Sequence, residues 1–306
     1  MKLMDLLLNM YDYARTDATG MLDDVGDEAL LAESYGQKVA DYQKLSNVAK
    51  VKAMNGMGNP AYGSMVFHRF QNASVETEGT ARTALAGAAV LDDQVTVNLS
   101  TKKEIVEELH KRDVAQIGYG GLVQHRTANH ALRMTADLDR AALTAAKTAA
   151  GTVIGNDADI TWANATTPNY LDLLEEAILK VETVSNDYVD GVDRSQIVVF
   201  LKPSIFAKVR NSLDKVYAYN GTTELVEVPA FHGAMVFSEH YMPSSTDFIA
   251  TTVGNIAQPV YSDGYTGGDR VPLSNFVELS LFYTYGTAIL APDLTFEGEF
   301  KEAVVL

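Results

Sequence analysis

The chain has 306 residues, 47% hydrophobic and 21% charged, which is ordinary globular usage and indicates neither disorder nor a fibrous repeat. About 300 residues suggest roughly two domains, with about three quarters of the unfolded surface open to burial. A formal charge of −16 argues against a tight, sequence-reading nucleic-acid binder, and the absence of cysteine removes disulfides and thiolate metal sites, which fits a reducing cytoplasm.

No apolar run approaches the roughly 18 residues of a membrane span. The opening MKLMDLLLNMYDYA reads as a short amphipathic helix with Leu3, Leu7, Met10 and Ala14 on one face. Asp5 interrupts its apolar run and no small-residue cleavage site follows, so it is not a secretion signal. A polar, partly helical stretch, LLAESYGQKVADYQKL, then runs to the breaker GMGNP. Residues 1–58 hold too little periodic apolar content for a core of their own and read as an arm.

From Gly63 the character turns to strand. GSMVFHRF is rich in Val and Phe, and DDQVTVNLS alternates Val95, Val97 and Leu99 with Thr96, Asn98 and Ser100. The stretch between them, NASVETEGTARTALAGAAVLDD, is small and polar, so the pair reads as a long β-ribbon with a loose tip. TKKEIVEELHKRDVAQIG reads as a charged helical turn and GYGGL as a breaker. A long helix follows from Ala128 to Gly151, with Ala131, Met134, Leu138, Ala142, Ala145 and Ala149 on one face and Gly151 as a left-handed cap. At 24 residues it would be about 36 Å long.

After the link VIGNDADITWANATTPN, the segment TPNYLDLLEEAILKVETV is an amphipathic helix with Thr167 as its cap and Pro168 in its first turn. The strand QIVVFL and a second helix, KPSIFAKVRNSL opened by Pro203, come next. Further strands read at AMVF, DFIATTV and PVYS, then a glycine-rich loop SDGYTGGD, then the β-forming NFVELSLFYTYGTAIL, with LTFEGEF as an added edge. The fold class is α+β.

Chemistry is sought and not found. His68, His110, His125, His130, His232 and His240 are scattered, and His125 and His130 are five apart rather than at the i, i+4 spacing of helical zinc ligation, so they read as exposed or capping side chains. SNDYVDGVDR and GNDADI lack the spacing and the bidentate Glu of a calcium loop and read as Asx-turn loops. GYGG at Gly118 and TGG at Thr266 match no phosphate-binding pattern. Ser100-x-x-Lys103 formally matches an acyl-enzyme motif, but its partner motifs are absent and a strand end running into solvated lysines explains it. Asn72, Asn98, Asn164 and Asn220 begin chance glycosylation sequons. No catalytic, cofactor-binding or metal residue is assigned, and the chain is expected not to be an enzyme.

The order of these elements resembles the major capsid protein of tailed bacteriophages, with its Hong Kong 97-type fold. DQVTVNLSTKKEIVEEL leading into the helix with TADLDRAAL carries the resemblance, with IVVFLKPSIFAKV, HGAMVFSEHYMP followed by DFIATTV, and the final YTYGTAILAP. It spans nearly the whole chain. The resemblance implies an N-terminal arm at 1–58, an extended loop at 59–100, a peripheral domain with the spine helix at 101–151 and 271–306, and an axial domain at 152–270. It also implies self-assembly as hexamers and pentamers into an icosahedral shell around double-stranded DNA touched only weakly and non-specifically. Portal and separate scaffolding proteins would be the partners, and the virion, assembled in the bacterial cytoplasm, the location. A capped alanine-rich helix suits the stiff element such a subunit needs. No helical extension precedes the arm, so a fused scaffolding domain is expected to be absent or removed, and no cross-linking Lys–Asn pair aligns. Glu76, Glu78 and Arg82 at the ribbon tip are the expected intersubunit contacts. Two alternatives stay open: an encapsulin-like protein compartment, and an α+β hydrolase or sugar-binding protein with an unrecognised site.

Overall fold

The apolar run QIVVFL forms a strand buried on both faces, as an unbroken Val/Ile/Leu/Phe run requires. In the computed structural model, which describes residues 46–73, 92–110, 119–150, 153–154, 170–219, 225–270 and 276–299, this strand is central to the larger sheet. The elements are β1 (Ser64–Phe70), β2 (Asp92–Asn98), β3 (Thr101–His110), α1 (Tyr119–Ala149), β4 (Val153–Ile154), α2 (Tyr170–Glu182), β5 (Ile197–Leu201) and α3 (Pro203–Val209). They continue as β6 (Asp214–Tyr219), β7 (Leu225–Phe231), β8 (Ala234–Ser238), β9 (Phe248–Thr252), β10 (Ile256–Ala257), β11 (Val260–Arg270), β12 (Phe276–Tyr285), β13 (Ala288–Ile289) and β14 (Phe296–Gly298). The N-terminal helix, the ribbon tip, Gly151, Thr167, Pro168 and GNDADI lie outside the described residues.

The chain divides into two compact units. One comprises Lys50–Asn98, Arg140–Pro259 and Thr287–Leu306. Its seven-stranded mixed sheet runs β4-β14-β9-β5-β8-β7-β6, with β5 parallel to β8 and antiparallel to β9. Leu173, Leu174, Ala177, Ile178 and Val181 of α2 recur at helical spacing and are buried with Val199, Leu201 and Val236 of the sheet and Ile205 and Val209 of α3. Burying one such side chain contributes about 1.5–3 kcal/mol. Pro203 opens α3, where its missing N–H is not needed. Within this unit Arg140 lies 5.5 Å from the Tyr241 ring centre, and Lys147 bonds Ser245 and faces Glu297 at 3.8 Å.

Asn255 is the polar centre of this unit. Its Nδ2 donates at 3.0 Å to Thr251 Oγ1, Thr295 Oγ1 and the Ala291 carbonyl, and its Oδ1 accepts from the Ala291 N–H at 2.7 Å. The returning segment that ends in β14 is thereby tied to the end of β9.

The other unit comprises Met1–Ala49, Leu99–Asp139 and Val260–Gly286, and its sheet runs β11-β12-β3. The first half of α1 is joined to it by ionic and polar contacts. Arg126 Nε donates to Glu107 Oε2 at 2.6 Å, and His130 Nε2 stands 2.9 Å from the same oxygen. Asp137 Oδ2 accepts from the hydroxyls of Tyr283 at 3.0 Å and Tyr285 at 3.2 Å. Burial, with Asp137 beside them, pushes Tyr283 well above the usual phenol range and Tyr285 up to about 12, so both remain donors. Ser46 Oγ donates to the buried Asp139 at 2.7 Å.

The Arg126 hydrogen bond, helped by His130, holds Glu107 below the ordinary glutamate value of 4.5. A depressed carboxylate adds stability above its unfolded-state pKa and loses it as pH falls through the folded-state pKa. Glu107→Gln is therefore expected to lower Tm at pH 7 by about 2 °C, the shift for about 1 kcal/mol in a chain of this size. That difference should shrink as pH falls below 4.5 and be smallest at the lowest pH at which the chain still melts cooperatively, as the native side chain is neutralised too. Calorimetry across that pH range checks this, and a Tm gap unchanged by acid contradicts it.

Several expectations are corrected. TKKEIVEELH is not a helical turn but β3, paired residue for residue with β12 from Thr101↔Tyr285 to His110↔Phe276. Lys and Glu favour helix locally, yet a ten-residue ladder against the strongly β-forming FVELSLFYTY outweighs that preference. GYGG is no breaker: α1 begins at Tyr119 and runs 31 residues, about 46 Å. Glycine costs about 1 kcal/mol in a helix interior, and Gly120 and Gly121 stand in the first turn instead. Along the expected face Ala131, Met134, Leu138 and Ala142 are buried, whereas Ala145 and Ala149 are half-buried beside the buried Leu143 and Ala146. SDGYTGGD is part of β11 rather than a loop, with register shifts between Ser262 and Tyr265 and between Gly267 and Arg270, as glycine-bearing bulges produce. LTFEGEF supplies β14, which lies inside the sheet between β4 and β9, not at its edge. His130 is buried, not exposed. The β6–β7 pair, DKVYAY against LVEVPAF, was not anticipated.

Candidate functional site

The ribbon expected from alternating apolar residues is present. β1 and β2 pair antiparallel in unbroken register from Ser64↔Asn98 to Phe70↔Asp92. Strand alternation gives the pair two faces of different character. On the inner face Phe67 and Val97 are 2% and 3% exposed and cluster with Ala257 of β10, with Met65, Val95, Ala53, Ala288 and Leu290 packed around them. Gly56 permits this approach, because a Cβ there would meet the Met65 methyl and the Phe67 ring at 2.7 Å.

On the outer face stand Val66, His68 and Phe70, with the His68 and Phe70 rings stacked at 6.1 Å. Met57 extends this face, bridging Val66 through Met57 N to Val66 O at 2.7 Å and Val66 N to Met57 O at 2.9 Å. Met54, Met57, Tyr62 and Phe70 are each more than half exposed, all within one stretch of the sequence.

The root of the ribbon is also fastened beyond Phe67. Arg69 lies with its guanidinium 4.2 Å from the Tyr188 ring centre and 3.4 Å from Asp293. The Asn72 N–H donates to the Asp187 carbonyl at 2.9 Å. In the amide orientation that satisfies both groups, the Asn72 side chain donates to Tyr188 O at 3.1 Å and accepts from Val189 N at 3.2 Å. The partner is the loop SNDYVDG, an Asx-turn as expected: Asn186 Oδ1 accepts from the N–H groups of Tyr188 and Val189 at 2.8 and 2.9 Å. Gly191 closes it at φ 80°, a conformation that favours glycine.

Glu76, Glu78 and Arg82 lie outside the described residues. Among the described residues no group of three or more His, Asp or Glu is placed to hold a metal ion. Lys102 and Lys103 are exposed along β3, in line with the solvated-lysine reading of Ser100-x-x-Lys103. No signal in the sequence singled out Arg69, Asn72 and Tyr188, because what makes them a unit is their meeting across more than a hundred residues of chain.

No protein-family model and no curated protein matches this sequence. Solved structures do. The capsid of an empty GTA particle matches over 84% of this chain and 90% of its own, at 11% identity and TM-score 0.56. A virus-like particle from Pyrococcus furiosus matches over 87% and 98%, at 12% identity and TM-score 0.53. The capsid of the cyanophage P-SCSP1u matches over 81% and 85%, at 15% identity and TM-score 0.50. The fold is accordingly the α+β, Hong Kong 97-type shell fold.

Proposed function

We propose that this chain is the major capsid subunit of a tailed bacteriophage, assembling with itself into an icosahedral shell around double-stranded DNA. The observation that carries the reading is the whole-chain likeness to particle-forming proteins, 84% of this chain against 90% of the GTA capsid chain. The exposed apolar side chains of the ribbon's outer face, Met57 beside Val66 and Phe70 further along, are in keeping with a surface that meets another subunit. In this reading the arm is 1–58, the extended loop 59–100, the peripheral domain 101–151 with 271–306, and the axial domain 152–270. Portal and scaffolding proteins complete the assembly, and the chain has a structural rather than a catalytic role. A charge of −16 suits a container that must not grip its genome.

A second reading, a protein compartment that holds other cargo, is compatible with the match to a virus-like particle over 98% of that chain but is not better supported by it. Both are shells, and cargo separates them. The purified chain, alone or co-expressed with a scaffolding protein, is expected to sediment as closed particles. Its unassembled subunit should bind double-stranded DNA no more tightly than about 10 μM at physiological salt. Sedimentation with fluorescence anisotropy tests this. Sequence-selective nanomolar binding would contradict the container, and enzyme cargo in place of DNA would favour the compartment.

A further inference from the structure

A two-stranded ribbon is marginally stable in water and bends and twists readily. Attaching it to its own subunit at one place fixes where it starts and leaves its direction open. A second attachment fixes the direction as well. The described residues provide both. Phe67 and Val97 enter the apolar cluster with Ala257, and two residues further along β1 the contacts of Arg69 begin.

We infer that Arg69, Asn72, Tyr188 and Asp293 form a clasp that aims the β1–β2 ribbon, and that they are positioning residues for the contact between subunits. The second half of this inference rests on the shell reading above. The clasp holds Arg69 in two ways at once. Tyr188 offers its ring face at 4.2 Å, and Asp293 offers a carboxylate at 3.4 Å. A planar cation held by a ring and a carboxylate keeps its direction better than one held by charge alone. Asn72 adds backbone geometry, its N–H donating to Asp187 O at 2.9 Å, so that β1 is held by its main chain as well as by side chains.

The platform is stiff. Asn186 N donates to Val189 O at 2.7 Å, Ser185 Oγ donates to Asp190 Oδ1 at 3.2 Å, and Gly191 N returns to Val184 O at 2.9 Å. Val192 N bonds Glu182 O at 3.0 Å, which joins the turn to the end of α2 and so to the buried core of that unit. Asn186 also donates to Asp293, coupling turn and carboxylate. Arg69, Asn72, Tyr188 and Asp293 themselves belong to neither apolar cluster, so releasing the clasp should swing the ribbon without unfolding the unit.

Hydrogen exchange on the unassembled subunit and electron microscopy of the assembled protein test this on Tyr188→Ala, Tyr188→Phe and Asp293→Asn. Tyr188→Ala should speed exchange of the Asn72 amide at least about tenfold while the β5 amides stay protected. It should also lower the yield of closed particles at least about fivefold, whereas Tyr188→Phe, which keeps the ring face, retains both. Unchanged exchange at Asn72 overturns the clasp. Faster exchange with wild-type particle yield and diameter overturns its positioning role. If Tyr188→Ala also exposes β5, Asp293→Asn decides by the same criteria, since it leaves the ring in place. A wild-type chain that forms no particles defeats the shell reading, and the exchange result then decides the clasp by itself.

Discussion

Replacing residues 74–91 with a short Gly/Ser turn is expected to leave a soluble, cooperatively melting subunit that no longer builds particles. The ribbon's attachments lie outside the replaced stretch. Phe67 and Val97 keep their apolar cluster, the ladder from Ser64↔Asn98 to Phe70↔Asp92 is retained, and Asn72 still reaches Asp187. Tm should therefore move by no more than about 3 °C. The sequence removed, SVETEGTARTALAGAAVL, is small and polar and has little to bury by itself. Its contribution should then come from a neighbouring subunit, with Glu76, Glu78 and Arg82 proposed as contacts. Reversing those three charges should weaken assembly in the same direction as the deletion. Calorimetry and sedimentation check the pair of outcomes. Normal shells from the shortened chain would show that the ribbon does not interlock subunits, and loss of folding would place 74–91 in the core.

Asn255→Ala is expected to be the most damaging single substitution away from the apolar core. Asn255, Thr251 and Thr295 are 4%, 0% and 1% exposed, so water does not replace the lost amide. The change leaves the Ala291 N–H and carbonyl without the Asn255 amide and removes a partner from each threonine. Each buried group left unsatisfied costs about 1–3 kcal/mol, though the two threonines still face each other at 3.2 Å. A loss of about 4 kcal/mol, or about 6 °C in Tm, follows. Asn255→Asp should be nearly as harmful, because a carboxylate cannot donate to the Ala291 carbonyl. Denaturant unfolding measures both. A change under about 1 kcal/mol would mean that the returning segment is held by apolar packing alone.

What the sequence disclosed depended on how local each signal is. β5 is an unbroken apolar run, and β1 and β2 alternate with period two, so each carries its burial pattern in a few adjacent letters. α2 and α3 are bounded by helical spacing and by Pro203. β3 was misread because its lysines and glutamates favour helix locally, while its actual state is set by β12, more than 160 residues away. The glycines of GYGG and SDGYTGGD read as breaks, yet one group begins α1 and the other bends β11. Asn255 is a single unremarkable letter after Gly254, and three of its four bonds exist only once the chain has returned from Ala291 to Thr295. Arg69 and Tyr188 are likewise invisible as a pair until the fold joins them.

The shell reading is tested most directly by cryo-electron microscopy of the purified protein, co-expressed with a scaffolding partner where required. The account predicts closed particles tens of nanometres across that average with icosahedral symmetry, each subunit folded as described and its β1–β2 ribbon lying against a neighbour. Monodisperse monomer across salt and crowding conditions, with no particle even beside a scaffolding partner, would contradict it.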